Sequence, residues 1–145
     1  MDVGAGTGVL ANEIANISDD VFALEPNGDR VEYIKKKFPQ VKAFDGSAES
    51  ISFPEAYFTK VYILSALHHF SDQDGALYEI NRVLKTKGVL VIFDLPPGKS
   101  TVERRLPTIK FLAPEELEGK LDLAGFTDVE VKYGEKGYFV RAKKS

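Results

Sequence analysis

At 145 residues, with 43% apolar and 28% charged side chains, the chain has the length of one domain with a sizeable core. A net charge of −3 announces no basic face, and the lack of cysteine excludes disulfides, thiolate metal sites and thiol nucleophiles. No apolar run approaches the ~20 residues of a membrane span and no signal-peptide layout is present, so a cytoplasmic protein is expected.

Met1-Asp2-Val3 reads as the tail of a first strand. Gly4-Ala5-Gly6-Thr7-Gly8 follows as a glycine-dense turn, which lets backbone approach a ligand because no Cβ intervenes. Val9 to Asn16 has helical spacing, and Val21 to Glu25 is a second strand stopped by Pro26. Asn27 can cap a helix bearing Val31, Ile34 and Phe38, which Pro39 ends. Val41 to Phe44 is a short third strand, and Phe58 to Leu67 contains a fourth.

Asp72 is a plausible cap for a helix carrying Ala76, Leu77, Ile80, Val83 and Leu84, with Gly88 as its left-handed stop. Val89 to Leu95 is a fifth strand, apolar almost throughout, as expected where both faces are covered. Pro96-Pro97-Gly98 then breaks the pattern, and Lys99 to Phe111 shows no clear period. Pro114 opens a last helix that Gly125 closes. Val129 to Tyr133 and Tyr138 to Ala142 flank a turn and predict an antiparallel hairpin. Alternating strands and helices imply a mostly parallel sheet covered on both faces, forming one domain over residues 1–145.

The glycines run G-x-G-x-G, and Val9 stands where a dinucleotide fingerprint needs its third glycine. Glu25, at the tip of the next strand, can accept both hydroxyls of a ribose, so an adenosine-containing cofactor is implied. A carboxylate at Asp2 suits a cofactor with a cationic amine and a sulfonium better than one with pyrophosphate. On these residues the chain resembles the class I S-adenosylmethionine-dependent methyltransferases. Gly46 to Phe53, Leu67-His68-His69-Phe70, and Arg82-Val83-Leu84-Lys85 leading to Gly88 carry the resemblance further, to about Lys143. They look like the broad type 11 subgroup that methylates small molecules, which includes quinone-biosynthesis enzymes.

The resemblance implies a Rossmann-like, doubly wound α/β fold: a mostly parallel seven-stranded sheet ending in the antiparallel hairpin. It implies S-adenosyl-L-methionine as cofactor and a small-molecule methyl acceptor as partner, and it is compatible with a homodimer. Gly4, Ala5, Gly6 and Gly8 would form the turn beneath the methionine portion, and Asp2 would contact or screen its cationic groups. Glu25 would hold the ribose, with Pro26 at its edge. Ala48 would offer its amide to adenine beside Ser47, where the family often has an aspartate. Ser65, Leu67 and His68 would surround the methionine end. Family members usually carry a longer segment before the glycine motif, so the chain reads as N-terminally short, either a fragment or a minimal version.

Methyl transfer from a sulfonium depends mostly on orientation, and a base is needed only if the acceptor must lose a proton. His68 is the candidate for that base, while His69 is expected to pack against Phe70. Adjacent histidines cannot form an i, i+4 zinc pair, and no metal site is expected. Arg104 and Arg105 are candidates for pairing with an anionic acceptor. Three other readings compete. A cofactor-binding module without independent activity is one, and a nicotinamide-dependent oxidoreductase is disfavoured by Val9. Asp94-Leu95-Pro96-Pro97 is similar to the base-gripping motif of adenine-N6 methyltransferases, but Leu95 interrupts it and Gly98 replaces its aromatic. With the negative net charge, nucleic acid is disfavoured as a partner.

Overall fold

Strands that are apolar on both faces settle only inside a covered sheet, and this requirement organises the chain. The computed structural model, which describes residues 1–145, has seven strands and four helices. The strands are β1 (Asp2–Val3), β2 (Phe22–Glu25), β3 (Lys42–Asp45), β4 (Phe58–Leu64), β5 (Leu84–Asp94), β6 (Phe126–Tyr133) and β7 (Tyr138–Lys144). They form one sheet in the order β3-β2-β1-β4-β5-β7-β6. The five strands from β3 to β5 are parallel, and β7 returns antiparallel to both β5 and β6. This is the expected doubly wound sheet with its terminal hairpin.

The helices are α1 (Val9–Ala15), α2 (Gly28–Lys37), α3 (Gln73–Val83) and α4 (Pro114–Leu123). Both anticipated caps form: Asn27 accepts from the Arg30 amide at 3.1 Å, and Asp72 from the Gly75 amide at 2.9 Å. Lys35, Lys36 and Lys37 fill the last turn of α2, where positive charge complements the helix dipole. Pro114 takes the first turn of α4, where its missing N–H costs nothing.

One expected stop is placed elsewhere. Gly88 is not left-handed; Lys87 takes that conformation, at φ 62°, and β5 already begins at Leu84. Gly88 is needed for space instead, since a Cβ there would lie 2.7 Å from the Lys85 carbonyl oxygen.

The main core lies between one sheet face and α3 and α4, around Ile63, Leu77, Ile80, Leu90, Ile92, Leu117 and Phe126. A smaller cluster of Ala11, Val21, Ala23, Val31, Ile34, Val41 and Ala43 sits under α1 and α2 on the other face. Beyond that second cluster, Leu64 and Phe139 remain half-exposed. Although β1 is only two residues long, it is central: Asp2 pairs with Ala23 on one side and Tyr62 on the other. The strand order reverses at β1, and such a switch point opens a crevice at the carboxyl ends of the strands.

Candidate functional site

The turn after β1 is built from left-handed backbone. Gly4 and Gly6 have φ of 74° and 58°, and the Gly4 and Ala5 amides both donate to the Leu24 carbonyl, at 2.8 and 3.1 Å. A Cβ on Gly4 would stand 2.6 Å from the Ala66 Cβ, so only glycine lets the turn meet the chain leaving β4. Ser65, on that same stretch, is itself left-handed at φ 51°, a strained state for a serine.

Glu25 ends β2 directly below the turn and is almost completely buried. Its carboxylate is fixed by backbone: Oε2 accepts from the Gly6 amide at 2.8 Å and Oε1 from the Asn27 amide at 3.2 Å. The half-exposed Arg30 guanidinium stands 3.5 Å from Oε1. An acid tied to the glycine turn in this way cannot swing out; Oε2 has the Gly6 amide as its one donor, whereas Oε1 has Arg30 beside its amide bond.

A cavity of about 790 Å³ opens at this point, within the range of small-molecule sites. Nine of the residues singled out in the sequence line it: Asp2, Gly4, Ala5, Gly6, Glu25, Pro26, Ser47, Ala48 and Ser65. Three others do not. Gly8 turns towards α2, where a Cβ would fall 2.7 Å from Ile34, so this glycine serves helix packing. Leu67 is core, and the His68 ring is drawn beneath the segment after β5.

The lining also includes Asn27, Arg30, Glu49, Leu64, His69 and Phe70, which sequence reasoning left out of the site. Of these, His69 had a visible signal, as the neighbour of His68. Arg104 and Arg105 are exposed and away from the lining.

Asp2 is the unusual acid. It lines the cavity yet is only 2% exposed, and its Oδ2 has no hydrogen-bond partner. Burial pushes its carboxyl up from 3.8 to about 6, a rise that the nearby amino terminus holds back. Oδ2 is itself shielded from solvent, so this carboxylate would act on a ligand's positive charge through the field it sets in the cavity and not by direct contact.

The two histidines lie on one 3-10 turn, Leu67–His69, and face different ways. His69 lines the cavity, and partial burial together with His68 holds its imidazole below the ordinary range. His68 Nδ1 lies 2.8 Å from Oδ1 of Asp94, the last residue of β5. The Phe111 ring stacks on His68 with centroids 4.3 Å apart. The expected arrangement is therefore reversed: His69 is on the cavity wall, and His68 is the packed residue, because a buried carboxylate captures its ring. No group of histidines and acids is arranged to hold a metal ion.

The family model described as "Methyltransferase domain" matches residues 1–92, from β1 almost to the end of β5. A relative in Mycobacterium tuberculosis, named "Probable S-adenosylmethionine-dependent methyltransferase", is 27% identical over 134 residues, covering 89% of this chain and 48% of its own length. The methyltransferase YcgJ of Bacillus subtilis is 32% identical over 100 residues, covering 65% of this chain and 39% of its own. The chain thus spans about half the length, or less, of these curated relatives. A crystal structure of a SAM-dependent methyltransferase from Thermotoga maritima superposes with a TM-score of 0.83 at 23% identity, over 99% of this chain and 80% of that one. The matched family, the strand order and the glycine turn agree, and the chain belongs to the class I S-adenosylmethionine-dependent methyltransferase superfamily.

Proposed function

We propose that this chain binds S-adenosyl-L-methionine in the cavity above β1 and transfers its methyl group to a small-molecule acceptor. The observation that carries the reading is the pair of buried acids at neighbouring strand ends. Glu25 is held rigidly by the Gly6 and Asn27 amides, and Asp2 has an unpartnered oxygen. A ribose diol fits the first, and the cationic amino-acid end of the cofactor fits the second. Pro26 then borders the ribose, while Ser47 and the Ala48 amide reach the adenine. Gly4, Ala5, Gly6 and Ser65 floor the methionine end.

When bound, the cofactor supplies an electrophilic methyl group on a sulfonium with a good leaving group built in. The protein's share is to orient the acceptor and exclude water, and the left-handed turn at Gly4 brings rigid backbone to that point. The family relationship supports a methyl acceptor as substrate, and the charge balance favours a small molecule over nucleic acid. A second reading is a cofactor-binding module whose acceptor pocket is completed by a partner. The half-exposed Leu64 on the cavity rim favours it, and methyl transfer by the isolated chain would dispose of it.

Thermal unfolding with and without ligand tests the cofactor assignment. S-adenosylhomocysteine at 100 times its dissociation constant stabilises a binding protein by about 2.7 kcal/mol, a shift of a few degrees or more. Reduced nicotinamide dinucleotide is expected to give no shift, and the opposite pattern would make the chain an oxidoreductase.

A further inference from the structure

The half-exposed Leu64 on the cavity rim is the first of a row of side chains that crosses the sheet. Strand register sets Leu64 beside Phe93, Phe93 beside Phe139 and Phe139 beside Lys132, on β4, β5, β7 and β6 in turn. Their chain neighbours Ile63, Ile92 and Val140 belong to the main core, so by strand alternation the row lies on the opposite face. The helices of that face, α1 and α2, pack on β2 and β3 and leave the row uncovered. Leu64 is accordingly 42% exposed and Phe139 47%. The Phe93 and Phe139 rings lie against each other with centroids 4.7 Å apart, and Tyr62 and Val91 form the half-buried row beneath.

Two features set this strip apart from an apolar face that merely lacks a cover. Its near end is continuous with the cavity, where Leu64 stands beside Ser65 and opposite Val9 and Leu10 of α1. Its far end carries a free cation. Arg141 answers Glu130 at 3.6 Å and Lys143 answers Asp128 at 2.9 Å, whereas the exposed Lys132, on the edge strand β6, has no acid partner. With neighbouring strands ~4.8 Å apart, the apolar strip runs roughly 10 Å from Leu64 to Phe139, and Lys132 stands roughly 14 Å from Leu64. An apolar run that starts at a cavity and ends at an unpaired ammonium complements an elongated molecule with one negative end.

We propose that this strip is the docking surface of the methyl acceptor, and that the acceptor is an amphiphilic anion. Its aromatic or aliphatic body lies over Leu64, Phe93 and Phe139. Its carboxylate, or another anionic group, meets Lys132, and its nucleophilic atom enters the cavity at the opposite end. This deepens the methyltransferase reading and rests on it. Contacts made by the body of the acceptor, away from the reacting atoms, then fix the line of attack. The nucleophilic atom bonds to the methyl carbon as the S–CH3 bond breaks with its electron pair remaining on sulfur, and any proton the acceptor gives up passes to water.

The test uses two fluorescent probes on the full chain saturated with S-adenosylhomocysteine. One is 8-anilinonaphthalene-1-sulfonate, an aromatic body with a negative charge, and the other is N-phenyl-1-naphthylamine, the same body without it. Phe139→Ser is expected to weaken both by about fivefold or more. Lys132→Gln is expected to weaken the charged probe by about fivefold and to leave the neutral one unchanged. Tyr78→Ser, at an exposed position of α3, should alter neither. Labelled-methyl transfer to hydroxynaphthoates and aminonaphthoates is expected to exceed transfer to the matching naphthols and naphthylamines. Lys132→Gln should abolish that preference through KM, with kcat within about threefold of the parent. Lys132 is exposed, so its variant keeps the test decisive if Phe139→Ser does not fold.

Undiminished binding of the charged probe in either variant overturns the proposal. So does equal transfer to charged and neutral acceptors, or transfer to none of them by a chain that binds S-adenosylhomocysteine. A dimer in sedimentation that Phe139→Ser breaks also overturns it, because a second copy would then cover the strip. A parent chain that binds no S-adenosylhomocysteine overturns the underlying methyltransferase reading instead, and the proposal falls with it.

Discussion

Burying Asp2 beside the centre of the sheet raises its carboxyl from 3.8 to about 6, so near neutral pH the ligand-free fold carries an ionised acid at a cost. Because the folded value lies above the unfolded one, the stability associated with Asp2 is full below about pH 4 and is lost as pH rises through about 6. Asp2→Asn is therefore expected to be more stable than the parent at pH 8 by about 1–3 kcal/mol, with no such gain at pH 3. Urea titrations at the two pH values would measure this. The same variant is expected to bind S-adenosylmethionine at least tenfold more weakly, because it loses the negative charge proposed to offset the cofactor's cationic group. A gain in stability with unchanged affinity would remove Asp2 from the site. Glu25 differs, since its carboxylate is satisfied by the Gly6 and Asn27 amides. Both acids were legible from the sequence, as ends of apolar strands beside a glycine turn, but only the structure separates a pinned acid from an orphaned one.

Among the elements, the long connection from β3 to β4 depends on one side chain of α3. Arg82 donates to the Phe53 and Ile51 carbonyls, each at 2.9 Å, and to Glu79 from Nε at 2.7 Å. Glu79 in turn accepts from the Ile51 amide at 2.9 Å. This clip holds the segment that carries Ser47 and Ala48 to the cavity. Arg82→Ala is expected to cost about 1–3 kcal/mol and to weaken cofactor binding without touching the ligand. Chemical denaturation alongside calorimetry checks both effects. A variant as stable and as tight-binding as the parent would leave the clip without a role. Arg82 was visible in the sequence only through family likeness, because its partners are carbonyls nearly thirty residues away and carry no residue-type signal. His68 shows the same limit: the apolar run Phe58 to Leu67 placed it just beyond β4, but its orientation depends on Asp94, a residue of the next strand. Gly88 was recognised as a break, and its reason, crowding by the Lys85 carbonyl, needed coordinates.

At the scale of the molecule, apolar runs and turn residues were enough to read six of the seven strands as separate elements, with β1 as a stub. The family likeness implied a mostly parallel seven-stranded sheet ending in the hairpin, and the order β3-β2-β1-β4-β5-β7-β6 came from the structure. The sheet joins a firm half to a more open one. Val61, Leu90, Ile92 and Val140 are buried on β4, β5 and β7, whereas β3 is an edge strand and residues 101–108 are mostly exposed. Native-state hydrogen exchange is expected to be slowest for amides of β4, β5 and β7 and fastest in residues 99–107. Bound S-adenosylhomocysteine should slow the Gly4–Gly8 turn more than the hairpin. Uniform protection along the chain would contradict this division. The central claim is that the cavity over β1 holds S-adenosylmethionine through Glu25. Calorimetric titration of the chain and of Glu25→Ala with S-adenosylmethionine tests it most directly. Micromolar binding that weakens at least tenfold in the variant, about 1.4 kcal/mol, is the expected result. Equal affinity in both proteins, or tight binding of reduced nicotinamide dinucleotide in place of S-adenosylmethionine, would contradict it.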